Sequence, residues 1–114
     1  MLRLPKVRII KKRPDFQHVY HAGRSMACRY FVLYVMETEE HAGKVGFAAG
    51  KKLGCAVVRN RVKRLLRECY RLHQEELREG VAILLVGRKA MTTAKRDVVE
   101  RAYLALGRKM GIFS

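Results

Sequence analysis

Apolar and polar positions change period several times along the chain, and each change marks an element. Between Pro14 and Gly23, Phe16, Val19 and Tyr20 stand at i, i+3 and i+4, which places them on one face of a short helix. Proline suits a first helical position and glycine the residue past the end. Ser25 to Glu37 alternates instead: Phe31, Leu33 and Val35 on one side, Tyr30, Val32, Tyr34 and Met36 on the other, a strand apolar on both faces. One of those faces must meet helices. The other is either a second packed layer or an exposed aromatic surface. Glu37 to Gly43 is polar and reads as the turn of a hairpin, with Lys44 to Ala49 as the partner strand, thin in side chains at Gly46, Ala48, Ala49 and Gly50. From Ala56 to about Glu79, closed by Gly80, helical spacing returns, and Val58, Val62, Leu65, Leu66, Cys69 and Leu72 share one face. Val81 to Val86 is a continuous apolar run, the pattern of a central buried strand. Thr92 or Thr93 suits the cap of a last helix, whose inward stripe is Val98, Val99, Ala102, Leu106 and Met110.

The order α, two or three strands, α, β, α predicts a two-layer α+β sandwich in one domain spanning residues 1–114. Within it, strand, basic helix and buried strand form a crossover between parallel neighbours, which general chain rules make right-handed. With 49% hydrophobic residues the chain has material for a core and is no disordered basic tail. No apolar run approaches the about 18 residues that span a bilayer. Residues 1–12 are a basic lead-in without periodicity and without the apolar segment of a secretory signal, so a cytoplasmic protein is expected.

Charge sharpens this picture. Lys plus Arg is 25 against 10 for Asp plus Glu, a net charge of +15. Much of it lies on the helix after Ala56, where Asn60, Lys63, Arg64, Arg67 and Arg71 fall opposite the apolar face and Arg59 and Arg61 flank them. Glu68 is the only acid between Lys51 and Arg71. A solvated helix face interleaves both signs; a stripe of one sign suits a polyphosphate backbone. Lys51, Lys52, Leu53 and Gly54 bring two more cations to the positive end of that helix. For Phe16 and Tyr20 the residues alone leave core packing and a platform for stacked bases equally open, whereas Val19 reads as core.

Catalytic chemistry is not in view. Asp15, Glu37, Glu39, Glu40 and Asp97 are scattered, so no carboxylate cluster for metal-assisted hydrolysis emerges. His18 and His21 lack a third ligand, and His41 and His73 lack a visible partner. The glycines match neither phosphate-loop nor dinucleotide spacing. Cys28, Cys55 and Cys69 are odd in number and widely spaced, against both disulfides and zinc. Cys69 reads as a small core residue, and Cys55 as a structural thiol whose pKa the helix start would lower.

Lys51 to Gly54 followed by Ala56 to Arg64, in the pattern Lys-Lys-Leu-Gly-x-Ala-Val-x-Arg-Asn-Arg-x-Lys-Arg, resembles the signature of the bacterial ribonuclease P protein subunit. Asp15 to Tyr20 and Phe31 to Tyr34 lie where that family has similar segments, and the likeness runs from about Ile9 to about Lys109. The resemblance implies the fold of the second domain of ribosomal protein S5, with a left-handed crossover. It implies an accessory subunit of an endoribonuclease: an RNA subunit, using bound Mg2+, removes the 5′ leader of precursor tRNA. By that resemblance the protein would bind both RNAs, as a monomer in a one-to-one ribonucleoprotein. Position by position, it assigns Phe16, Tyr20 and Tyr34 to a leader cleft, with Asn60 and Lys63 as its basic wall. Lys51, Lys52, Arg59, Arg61, Arg64 and Arg67 would meet the RNA subunit or nearby backbone, and Arg88 a further phosphate. No residue is assigned to catalysis or to a metal. Two departures stand out: Ala48, Ala49 and Gly50 replace frequent serines, and Cys55 replaces a frequent asparagine. Two other readings compete: a ribosomal or assembly protein of the same fold, without a single-strand cleft, and a basic amphipathic helix docked on anionic membrane.

Overall fold

The computed structural model describes residues 9–10, 12–40 and 42–114; most of the basic lead-in, and His41, lie outside them. Helix α1 (Arg13–Ala22) is followed by strands β1 (Arg24–Ala27), β2 (Phe31–Glu37) and β3 (Val45–Ala49). Helix α2 (Ala56–Leu72), strand β4 (Val81–Gly87) and helix α3 (Arg96–Met110) complete the order. The four strands form one sheet in the order β1-β2-β4-β3. β4 is antiparallel to β2, with Val35 opposite Ile83, and parallel to β3, with Val45 opposite Ile83.

That order corrects the expected hairpin. β2 and β3 do not pair, because β4 lies between them. The connection from β2 to β3 straddles the start of β4: Thr38 N–H donates to the Gly80 carbonyl and Gly43 N–H to that of Val81, each at 2.8 Å. A strand apolar at every position has no side for water, so the centre of the sheet is where both its faces and both its edges are covered. The expected strand over Ser25 to Glu37 is likewise two strands, broken at Cys28–Tyr30 and folded back with Ser25 opposite Tyr34.

The two sheet faces carry different helices. Phe31, Leu33, Val35, Val45, Ile83 and Leu85 pack on Val62, Leu66, Cys69 and Tyr70 of α2 and on Val99, Tyr103, Leu106 and Met110 of α3. On the other face Met36, Ala82 and Leu84 meet Val19 of α1 together with Ile10, and Phe16 and Tyr34 close the edge of this smaller cluster. Gly46 seats α1: a Cβ there would lie 2.5 Å from Leu84 Cδ2 and 3.3 Å from the Phe16 ring. The thinness of β3 is therefore filled by Phe16.

Two helix ends differ from expectation. α2 stops at Leu72, not near Glu79, because His73 N–H bonds the Tyr70 carbonyl and the buried Gln74 side chain donates to the Arg71 carbonyl at 3.2 Å. The chain that follows is drawn into pairing with the C-terminal tail: Arg78 N–H donates to Ile112 O at 2.7 Å and Ser114 N–H to Glu76 O at 2.9 Å. α3 starts at Arg96 with Lys95 as an N-cap that makes no side-chain bond, so neither threonine caps it. Thr92 instead turns its hydroxyl back to the Lys89 carbonyl at 2.8 Å, inside a 3-10 turn over Lys89–Thr93.

His73 ties the end of α2 to α3. Its ring nitrogens face Glu76 at 2.5 Å and Glu100 at 2.6 Å, so both bonds are made only when the ring is doubly protonated. Burial works against that charge, but the hydrogen bonds to Glu100 and Glu76 outweigh it and the pKa is raised. A raised folded-state pKa contributes stability in full below the unfolded value of about 6.5, and that stability is lost as pH rises through the folded value. Thermal melting should therefore fall as the pH climbs above about 6.5, and His73→Ala should abolish this limb at a cost of roughly 1 kcal/mol, the more exposed Glu76 adding little. Equal pH profiles for the two proteins would remove His73 from the account.

Candidate nucleic-acid interface

On the α1 side of the sheet the aromatic residues singled out from the sequence are brought together, with unequal exposure. Tyr20 is 42% exposed, and its ring centroid lies 4.8 Å from that of half-buried Tyr34, tilted by 31°. Phe16 is half-buried over Gly46. Helical spacing explains this split: Val19 points into the small core, so Phe16 leans inward beside it while Tyr20 turns to the rim. Burial and the neighbouring Tyr20 hydroxyl raise the Tyr34 pKa, so the Tyr34 phenol stays neutral near pH 7. Val32 and Val86 stand opposite one another on the same face, with Ala48 opposite Val86, all half-buried and beyond the reach of α1's packing cluster. The result is an apolar floor beside a tyrosine pair.

The cations gather elsewhere. Val57, Asn60, Lys63, Arg64 and Arg67 line an open groove of about 460 Å³ on α2, with Val57 74% exposed and no carboxylate in the lining. α2 packs on the opposite sheet face from α1, Asn60 and Lys63 line the same groove as the arginines, and β3 is the edge strand on that side of β4. Phe47, missed in the sequence between small residues, holds this groove: its ring meets Tyr70 edge-on at 6.0 Å, and the Arg67 guanidinium lies 5.7 Å above it. The remaining cations have distinct settings. Lys51 and Lys52 are exposed on a 3-10 turn over Lys51–Leu53, Arg59 is half-buried, and Arg61 donates to the Thr92 carbonyl at 2.6 Å. Arg71 is committed to Glu68, at 2.5–3.0 Å, which lowers the Glu68 pKa. Arg88 donates to the Cys28 carbonyl at 2.8 Å, bracing the β1–β2 turn while remaining exposed.

At the start of α2, Cys55 is the N-cap and is exposed; its thiol closes no capping bond. The amides of Val58 and Val57 in front of it still hold its pKa below the ordinary thiol value, with help from Arg59. Cys69 is the reverse case, buried on the α2 seam and pushed up to about 12 by burial. Several acidic groups are engaged in ion pairs: Glu37 with Arg78, Glu100 with Arg96 as well as His73, and Asp97 with Arg101. Among the described residues no group of three or more His, Cys, Asp or Glu is placed to hold a metal. His18 and His21 are exposed on α1, the latter bonded to Gln17 at 2.9 Å. No helix among the described residues is long and apolar enough to cross a membrane.

What this arrangement offers is one apolar, ring-bearing surface suited to unpaired bases and one cationic surface suited to phosphates. Residues 4–111 match the family model described as ribonuclease P. The chain is 38% identical over 105 residues to the ribonuclease P protein component of Alkaliphilus oremlandii, covering 92% of each, and 39% identical over 100 residues to that of Natranaerobius thermophilus, covering 88% of this chain and 87% of that one. Its structure superposes on the ribonuclease P protein of Staphylococcus aureus with a TM-score of 0.83 at 30% identity, covering 94% of this chain and 98% of that one. For the Thermotoga maritima protein the values are 0.75 and 26%, over 85% and 92%.

Proposed function

The chain belongs to the ribonuclease P protein family and is a component acting in tRNA 5′ processing, and on that premise we propose that it binds two RNAs through two surfaces. The tyrosine pair and the apolar floor take the unpaired 5′ leader of precursor tRNA; the α2 groove and its flanks take phosphates of the RNA subunit. The cleavage chemistry, with its Mg2+, belongs to that RNA, and this chain's residues bind and orient in a one-to-one particle in the cytoplasm. Asn60 and Lys63 serve the leader where it crosses β3 toward α2. Lys51, Lys52, Arg59, Arg61, Arg64 and Arg67 serve the RNA subunit, and Arg88 a phosphate next to the β1–β2 turn.

The observation that carries this reading is a groove on α2 that holds Lys63, Arg64 and Arg67 without one carboxylate, on a chain of net charge +15. Three cations lining one groove repel one another in the free protein; a polyanion relieves them. Arg64→Ala is the cleaner probe, since Arg67 also rests on Phe47. It should weaken assembly with the RNA subunit and reduce the log–log salt slope by about 0.7 to 0.9, one phosphate contact. Arg67→Ala should do the same with an added loss of about 0.5–1 kcal/mol in stability. Unchanged slopes in both variants would return these arginines to the solvent.

A further inference from the structure

A second cationic groove lies on the other flank of α2, where it faces the start of α3. Arg61 and Arg64 form one wall; Thr93, Lys95 and Arg96 form the other, around a space of about 740 Å³. Four cations from two elements thus meet across it. Glu68 also lines the groove, but its carboxylate is held by Arg71. Arg61 is fixed in place by its bond to the Thr92 carbonyl on the opposite wall. Arg96 leans on Glu100, and the Asp97 carboxylate is taken by Arg101 at 3.6 Å.

Even with these pairs, the lining of the groove carries more cations than anions in the free protein. Lys95 and Arg96 place two cations at the positive end of a 15-residue helix, where anions belong. The first helical bond of α3 runs from Val99 N–H to Lys95 O, and no side chain caps the amides before it. Folding has therefore gathered like charges and open donors on facing walls. No aromatic residue lines the groove, so nothing there stacks a base. Phosphates held on two walls without base contacts suit a base-paired RNA segment, which proteins grip through shape and backbone.

We propose that the α2–α3 groove is a phosphate-backbone seat for a base-paired segment of RNA, and that Lys95 and Arg96 belong to the RNA-binding surface. This rests on the RNA-binding function above and extends it to a second helix. The test compares Lys95→Ala/Arg96→Ala with Arg108→Ala/Lys109→Ala, which removes the same charge from the exposed far end of α3. The probes are a blunt RNA hairpin and an unpaired oligonucleotide of equal length, titrated over salt, with melting recorded alongside. The groove variant should bind the hairpin roughly tenfold more weakly, with a salt slope shallower by about 1.4 to 1.8, while the oligonucleotide is little affected. The far-end variant should leave the hairpin slope near that of the wild type. Because Arg96 also supports Glu100, Lys95→Ala alone provides a variant that leaves that ion pair intact, with about half the slope change. Equal losses in the two double variants, equal losses on both RNAs, or an unchanged hairpin slope would overturn the proposal. If the wild-type protein binds neither RNA, the general reading fails instead of the groove.

Discussion

Tyr20→Ala should weaken binding of precursor tRNA by about 1 to 3 kcal/mol, up to roughly a hundredfold, and leave folding stability nearly unchanged. Phe16→Ala should do the opposite first: it should lower stability by about 3 kcal/mol, the low end for a buried phenylalanine because the ring is only half-buried. The two residues sit one helical turn apart, so sequence treats them alike. Their surroundings do not. Phe16 packs over Gly46 and against the cluster of Val19, Met36 and Leu84, and its removal opens a cavity beneath α1. Tyr20 stands 42% exposed, touching Tyr34 and His21 at the rim. Melting curves, measured with affinities for precursor and mature tRNA, separate the cases. Mature tRNA has no leader, so it should not register the loss of Tyr20. A stability loss for Tyr20→Ala with no preference between the tRNAs would make that ring structural.

Gly23→Ala should cost about 1 to 3 kcal/mol of stability and reduce leader affinity without removing any ring. A Cβ at Gly23 would lie 2.7 Å from the Val19 carbonyl oxygen and 2.8 Å from that of Val35. Both atoms are backbone, one at the end of α1 and the other on β2, so no side-chain rotation relieves the contact. Either α1 lifts or the corner into β1 opens, and Tyr20 then loses its register over Tyr34. Binding of the RNA subunit through α2 should persist, because α2 packs on the other face of the sheet. Wild-type melting and wild-type affinity for precursor tRNA would show that this corner yields freely and does not set the aromatic surface.

Local patterns in the chain were enough to place the first helix between Pro14 and Gly23, the central strand at Val81, and the seam and cationic face of α2. Each depends on neighbours within a few residues, which sequence displays directly. What it could not display depends on distant partners. The β2–β3 connection reads as a hairpin turn, yet it is committed to Gly80 and Val81, and only the assembled sheet puts β4 in the gap. α2 has helix-compatible residues past Leu72, but the tail at Ile112 and Ser114 claims their backbone. Tyr70 and Tyr103 count as polar in a simple pattern and are fully buried. At the candidate site, the motif supplied the cations, while their division between two grooves depends on α3 packing beside α2. Phe47, as a support for Arg67, had no local signal beyond being the one large residue among Gly46, Ala48 and Ala49.

The central claim, that this chain is a binding subunit whose RNA partner performs the cleavage, is tested most directly by reconstitution. A bacterial ribonuclease P RNA at low magnesium, a precursor tRNA and this protein are combined, each also omitted in turn, and release of the 5′ leader is followed. The account predicts no cleavage by rigorously RNA-free protein, slow cleavage by the RNA alone, and a large rise when both are present. Leader removal by the protein without RNA, or an RNA reaction that the protein leaves unchanged, would contradict it.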